Sequence, residues 1–168
     1  MKVYAGTSGF SYREWKGRFY PKDLPAGQML RCYGGAFPAV EINGTFRRMP
    51  EPSALAAWAA EVPRGFKFVL KAPQRITHIR RLKDTGELVS SLFATASALK
   101  TRLGPVLFQL PPNLKKDVPR LTAFLSLLPA DHRAAFEFRN DTWFDDDVYA
   151  ALEAGPEEAR SRSVPGRG

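Results

Sequence analysis

Apolar and polar residues alternate along Ala39-Val40-Glu41-Ile42-Asn43, and in an extended chain successive side chains point to opposite faces. Val40 and Ile42 therefore share one face, and Glu41 and Asn43 the other. The same split recurs in Phe66, Phe68 and Leu70 against Val69 and Lys71, and in Val106, Phe108 and Leu110 against Leu107 and Gln109. It returns in Phe136 and Phe138 against Ala135, Glu137 and Arg139. Each stretch predicts a strand with a bulky apolar face suited to packing against helices. The opposite face carries smaller residues and ends in a polar one, as the inside of a barrel with a site at one end requires. Val3 to Gly6 predicts a further short strand before the small-residue turn Gly6-Thr7-Ser8-Gly9.

Between these strands the apolar period becomes helical. Gln28 to Phe37 predicts a helix with Met29, Leu30, Tyr33 and Phe37 on one side, and Pro52-Ser53 opens a second with Leu55, Trp58, Ala59 and Val62 as its stripe. Asp84 and Glu87 have capping-box spacing, and Leu88, Leu92, Ala96, Leu99 and Leu103 carry that helix to Gly104-Pro105. Asp117 to Leu128 predicts a fourth helix, and Asp145, Asp146 and Asp147 complement the positive end of a last one reaching about Ala154. The stretch from Phe10 to Pro25, rich in aromatics and cations, is too long for a connector and is expected to lie over a pocket. Strands and helices alternating with short connections predict an α/β fold, a parallel sheet wrapped by helices with polar residues at the carboxyl ends of its strands.

Composition narrows this picture in a few places. With 168 residues, 44% hydrophobic and 12% aromatic, the chain suits one globular domain. Its net charge of +8 favours anionic partners, although surface cations in a solubility role give the same balance. Cys32 is the single cysteine, which excludes an intrachain disulfide and a cysteine-based zinc site. No apolar run approaches a membrane span and the first residues open directly into a strand, so a cytoplasmic location is expected. The spacing of His78 and His132 suits no metal site, and no phosphate-loop or nucleophile-elbow motif is present. A cofactor requirement is left open.

Gly6-Thr7-Ser8-Gly9 with Tyr12 and Trp15, Phe19-Tyr20-Pro21, Val40-Glu41-Ile42-Asn43 with Thr45-Phe46, Lys71-Ala72-Pro73, Phe108-Gln109-Leu110-Pro111-Pro112 and Glu137-Phe138-Arg139 together resemble the YecE-like proteins, the domain of unknown function 72 family. The resemblance runs from about residue 1 to 154 and implies a TIM-type (β/α) barrel of uncharacterised activity. A barrel of that kind takes about eight strands. The resemblance therefore implies an incomplete TIM-type barrel of about five parallel strands flanked by helices over residues 1–154. Residues 155–168 hold one apolar residue larger than alanine and are expected to be a disordered tail. A shifted reading frame, a wrong gene end and a natural short variant would each produce such a tail.

Glu41, Lys71 and Glu137 are the expected catalytic residues, either glutamate serving as general acid or base and Lys71 as electrostatic stabiliser or amine nucleophile. Asn43, Gln109 and Arg139 would orient a small polar or anionic substrate, with Ser8, Tyr12, Thr45 and His78 as further contacts. The amides of Gly6 to Gly9 could hold an anion or simply make a tight turn. The same charged side chains could instead form a structural ion-pair network. A reading from another class rests on the segment from Arg64 to Lys83, which has seven Lys or Arg and no acidic residue. There Arg75, Arg80, Arg81 and Lys83 would contact nucleic-acid phosphates while Tyr12, Trp15 or Tyr20 stack on bases. A shortened chain without activity is the third reading, and self-association through open sheet edges would accompany it.

Overall fold

The computed structural model describes the backbone of residues 3–163 and the side chains of residues 3–156. Five strands form one sheet in chain order: β1 (Gly6–Ser8), β2 (Ala39–Ile42), β3 (Lys67–Lys71), β4 (Leu103–Gln109) and β5 (Ala134–Glu137). β1 pairs with β2, β2 with β3 and β4 with β5, in each case parallel. The helices are α1 (Met29–Ala36), α2 (Pro52–Glu61), α3 (Gly86–Ala96), α4 (Val118–Leu125) and α5 (Asp146–Ser163). This is the α/β arrangement of parallel strands flanked by helices that the pattern predicts. The chain divides into two compact units, Met1–Lys71 with Ala94–Pro105, and Ala72–Phe93 with Val106–Gly168.

In the first unit the apolar faces of β2 and β3 are buried as the alternation requires, with Val40, Phe68 and Leu70 at 1% exposure or less. Leu55 of α2 and Tyr33 of α1 close over them, and Tyr20 and Leu99 complete the cluster. Tyr33 also does polar work there. Its hydroxyl accepts from the Thr7 amide at 2.8 Å and donates to the Ala39 carbonyl at 2.9 Å. β1 lies at Gly6–Ser8, where a turn was expected, and not at Val3–Gly6. Glycine explains the shift, because a Cβ on Gly6 would stand 2.0 Å from the Ala39 carbonyl oxygen. Only a residue without a side chain lets the strand approach β2 there. Gly104 does the same for β4, since a Cβ would lie 3.0 Å from the Phe68 carbonyl oxygen, and β4 accordingly starts at Leu103, before the predicted Val106.

In the second unit Phe108, Leu121, Phe124 and Trp143 are fully buried. Trp143 reaches that position because its Nε1 donates to the Leu114 carbonyl at 2.7 Å, which satisfies the one polar atom of a large apolar side chain. Asp117 caps α4 by accepting from the Arg120 amide at 3.0 Å.

Two local expectations fail for identifiable reasons. The capping box at Asp84 and Glu87 is not made, because Asp84 has a left-handed backbone (φ 50) and α3 begins two residues later. α3 stops at Ala96, and the stripe continues through a 3₁₀ turn, Ser97–Arg102, broken at Lys100 (φ 52). The Ser97 hydroxyl, donating to the Ala94 carbonyl at 2.7 Å, competes with the helical ladder at that point. The last helix ends at Ala154 as expected, broken by the non-helical Gly155 (φ 68), and a second helical segment follows from Pro156. Proline at the first position of a helical segment is a favourable start, since its missing amide proton is not needed there. Residues 156–163 have helical backbone, and residues 164–168 of the expected tail lie outside the described residues.

Candidate functional site

The register of the first unit sets its polar residues in tiers. Ser8 pairs with Glu41, and Glu41 pairs with Val69. Lys71 therefore stands on the face of Glu41 one pleat further on, and Asn43 follows Glu41 by the same step. The Asn43 side-chain amide donates to the Ser8 hydroxyl, and Ser8 Oγ donates to Glu41 Oε1 at 3.1 Å. The Tyr12 hydroxyl donates to the Ser8 carbonyl from the neighbouring loop. Among the described residues no hydrogen bond holds the second Glu41 oxygen and no ion pair holds Lys71. Lys71 Nζ lies 5.1 Å from the centroid of the Phe46 ring, a cation–π contact.

Two expectations in this unit change. The Thr45 hydroxyl is fully buried and lies 2.7 Å from both the Ile42 and the Lys71 carbonyl oxygens. One hydroxyl proton is shared between two main-chain acceptors, so Thr45 ties the ends of β2 and β3 together and is not exposed to a ligand. In the Gly6–Gly9 stretch, strand rather than turn, the Thr7 amide is bonded to Tyr33 and the Gly9 amide to the Glu41 carbonyl at 2.8 Å. What the stretch offers to a ligand is the Ser8 side chain.

The loop from Phe10 to Pro25 packs its rings against α1. Trp15, Phe19 and Phe37, with Thr7, line an apolar crevice of about 220 Å³. Thr7 and Ser8 point to opposite faces of β1, so this crevice is not on the polar side. Tyr20 is 2% exposed and its hydroxyl donates to the Phe10 carbonyl at 2.5 Å, which removes it from any base-stacking role. Burial pushes its phenol up to about 12, since the charged form would be poorly solvated there, and the nearby Cys32 and Tyr33 add to the effect.

The second unit carries the other strand-end carboxylate. Gln109 pairs with Glu137 in the β4–β5 register. Gln109 Nε2 donates to Glu137 Oε2 at 2.7 Å, and Arg139 Nε donates to Glu137 Oε1 at 2.8 Å. Both oxygens of Glu137 are thus engaged, as the ion-pair reading expected of this cluster. His78 belongs to the same unit, half-buried on a π-helical turn, Arg75–Ile79, with its Nδ1 2.9 Å from the Thr77 hydroxyl. Sequence reasoning missed Tyr33 and Phe46, which support these residues from behind. The helical stripe counted Tyr33 only as a core ring, and nothing in the local pattern distinguishes a ring whose hydroxyl serves a neighbouring strand. Among the described residues no group of three or more His, Cys, Asp or Glu is arranged to hold a metal, and no helix is long and apolar enough to cross a membrane.

The model of the family described as "Protein of unknown function DUF72" matches residues 4–157. The chain belongs to the DUF72 family. A curated relative, the UPF0759 protein YunF of Bacillus subtilis (strain 168), is 28% identical over 155 residues, covering 88% of this chain and 54% of that protein. The chain thus spans about half the length of the curated relative it matches. A DUF72 family protein from Thermotoga maritima superposes with a TM-score of 0.79 at 31% identity, covering 90% of this chain and 61% of its own. Another from Enterococcus faecalis superposes at 0.71 with 19% identity, covering 95% and 58%, and so shows the fold alone. The resemblance seen in the sequence motifs holds, and the family description brings no reaction with it.

Proposed function

We propose that this DUF72 chain carries an enzymatic site for a small polar or anionic molecule, worked by acid–base chemistry at the carboxyl ends of its strands. The observation that supports this reading is the state of Glu41. One oxygen accepts from Ser8, which Asn43 holds in turn, and the other is open on a half-buried strand end. A carboxylate oriented through one oxygen can exchange a proton through the other. Lys71, on the same face and free of any carboxylate partner among the described residues, supplies positive charge for an anionic group or for charge developing in the reaction. Glu137, held by Gln109 and Arg139, is the second acid–base candidate in its own unit, and Tyr12, Ser8 and Asn43 are the substrate contacts in the first.

The test is a turnover screen over small polar and anionic metabolites, read by mass spectrometry, with this chain and with a full-length DUF72 relative. Glu41→Gln keeps the shape and the Ser8 contact while removing the exchangeable proton, and is expected to slow any reaction found by roughly 10²–10⁴-fold. Circular dichroism and the melting temperature should be unchanged. Full activity in both Glu41→Gln and Glu137→Gln, or unfolding of both, would make the carboxylates structural and sink the reading. The outer edges of β1 and β5 each have one strand neighbour among the described residues, so self-association through them is part of the proposal. A monomer by light scattering at micromolar concentration, with a sharp thermal transition, would remove that part.

A further inference from the structure

We propose that Arg75–Gly86, in the second unit, is a contact surface for the phosphate backbone of a nucleic acid. Within this segment Arg75, Arg80, Arg81 and Lys83 are exposed, and among the described residues none of them is in an ion pair. Of the other cations of the same unit, Lys116 is paired with Asp145 and Asp147, Arg120 with Asp117 and Arg139 with Glu137, while Lys115 and Arg133 are exposed and, among the described residues, in no ion pair, but they stand singly outside this segment. Like charges carried unpaired on one short segment repel one another, and a partner of opposite sign relieves that repulsion.

The backbone holds these cations in a fixed arrangement. Ile76 and Thr77 are fully buried and Leu82 is 3% exposed, so alternate parts of the segment are anchored in the core. The Leu82 amide donates to the Ile76 carbonyl at 2.9 Å and the Lys83 amide to the Arg80 carbonyl at 3.0 Å. Arg81, Leu82 and Asp84 all have left-handed backbones, with φ of 50, 68 and 50, a conformation that a residue with a Cβ adopts only where its surroundings impose it. A surface already ordered before binding loses little conformational freedom when it is occupied.

Charge alone would suit any polyanion, and the details favour a nucleic acid. Three of the four cations are arginines, whose planar fork matches phosphate oxygens bidentately. Ile79 stands among them at 65% exposure, an apolar tip suited to the sugar and base faces that lie between phosphates. An acidic peptide has no such apolar surface between its charges, and a membrane would need more than one apolar side chain to enter it. Lys83 also lines an open groove of about 630 Å³ together with Arg120, Thr85 and the carboxylates Asp84 and Asp117, the last of them paired with Arg120. Asp84 is the single acidic residue in the segment.

The experiment measures binding of short fluorescein-labelled oligonucleotides, single-stranded and duplex, by anisotropy between roughly 50 and 200 mM salt. For single strands the logarithm of affinity should fall against the logarithm of salt with a slope of about −2 to −3, as three or four phosphate contacts require. Replacing Arg80 and Arg81 together by Ser should reduce that slope by about 1.4. The control Arg13→Ser with Arg31→Ser removes the same charge from exposed positions of the first unit and should leave binding as it was. If the double replacement of Arg80 and Arg81 disturbs the circular dichroism spectrum, Arg75→Ser and Lys83→Ser, made singly, should each reduce the slope by about 0.7. Equal losses in the test and control variants would mean that net charge alone binds the probe, and the proposal would fall. It would fall equally if no oligonucleotide bound at the lower salt, or if polyglutamate of matched charge competed as well as the oligonucleotide itself.

Discussion

Glu41 and Glu137 occupy corresponding places, each on the polar face near the carboxyl end of its strand, and the two units treat them differently. Glu137 has Gln109 on one oxygen and Arg139 on the other. Among the described residues Glu41 has Ser8 alone, on one oxygen, and Lys71, the cation along its face, lies over the ring of Phe46. A carboxylate held at both oxygens is fixed in place and has a lone pair of each oxygen already engaged, which makes it the weaker proton acceptor of the two. A carboxylate held at one keeps its direction and leaves the other position for chemistry. Identical residue types at strand ends thus divide into a held group and an available group, and that division depends on what each adjacent strand supplies. β1 supplies a serine to Glu41, whereas β4 supplies a glutamine to Glu137.

The strongest way to break the comparison is to detach β1. Gly6→Ala places a Cβ 2.0 Å from a main-chain oxygen that cannot move aside. It should destabilise the first unit by about 2–4 kcal/mol, at the severe end for one residue. Ser8 would leave Glu41 while the Gln109–Glu137 contact in the second unit persists. Chemical denaturation together with side-chain NMR signals from the two clusters would test this, and equal perturbation of both clusters would contradict it.

Tyr33→Phe is a milder cut at the same place. It removes the hydroxyl that serves the Thr7 amide and the Ala39 carbonyl, both near the start of the sheet. The expected loss is about 1–3 kcal/mol, because two main-chain groups are left without their partner. Urea unfolding measures it, and a change below a few tenths of a kcal/mol would show that water replaces the hydroxyl.

Smaller still is the stability difference between the two carboxylates themselves. Glu137→Gln breaks a half-exposed ion pair with Arg139 and should change stability by about 0–1 kcal/mol. Glu41→Gln should stay within about 0.5 kcal/mol. A larger loss from Glu41 than from Glu137 would reverse the assignment of held and available groups.

The last effect is confined to alkaline solution. The Tyr20 phenol is raised from 10.0 to about 12 in the folded chain. Above pH 10 the unfolded chain gives up this proton first, so the folded state loses stability as pH rises from 10 toward 12 and is unaffected by Tyr20 below that window. Ultraviolet titration should show one tyrosine ionising well after the exposed ones. Tyr20→Phe should remove that step from the titration and flatten the alkaline fall in stability.

Much of this molecule was legible in the sequence. The alternation around Val40, Phe68 and Phe108 placed β2, β3 and β4, and Pro52 marked the start of α2 to the residue. The polar residues that meet were also on the right faces, because a strand fixes the direction of every second side chain. What was hidden depended on distance across the fold. That Gly6 is needed for a close approach to Ala39, and not for a turn, cannot be read from its neighbours. Thr45 looked like a substrate contact because a threonine beside Asn43 offers a hydroxyl. Its real partners are the carbonyls of Ile42 and, 26 residues on, Lys71. The helical period likewise ran through Ala96 to Leu103 without showing where the ladder breaks, since a 3₁₀ turn keeps nearly the same stripe.

The hydroxyl of Tyr33 also bears on the order in which the protein assembles. β1 is three residues long, and the Thr7 amide finds its acceptor 26 residues later, on α1. A strand so short cannot hold itself against the sheet, and a contact that closes a loop of that length is gained only after the loop entropy has been lost. With so few pairs of its own, the first strand of the sheet is expected to be among the last pieces of its unit to be fixed, after α1 and β2. Ser8, carried by that strand, would then reach Glu41 late in folding and leave it early on unfolding. Loosening β1 at Thr7 should accordingly speed unfolding and leave the folding rate nearly unchanged.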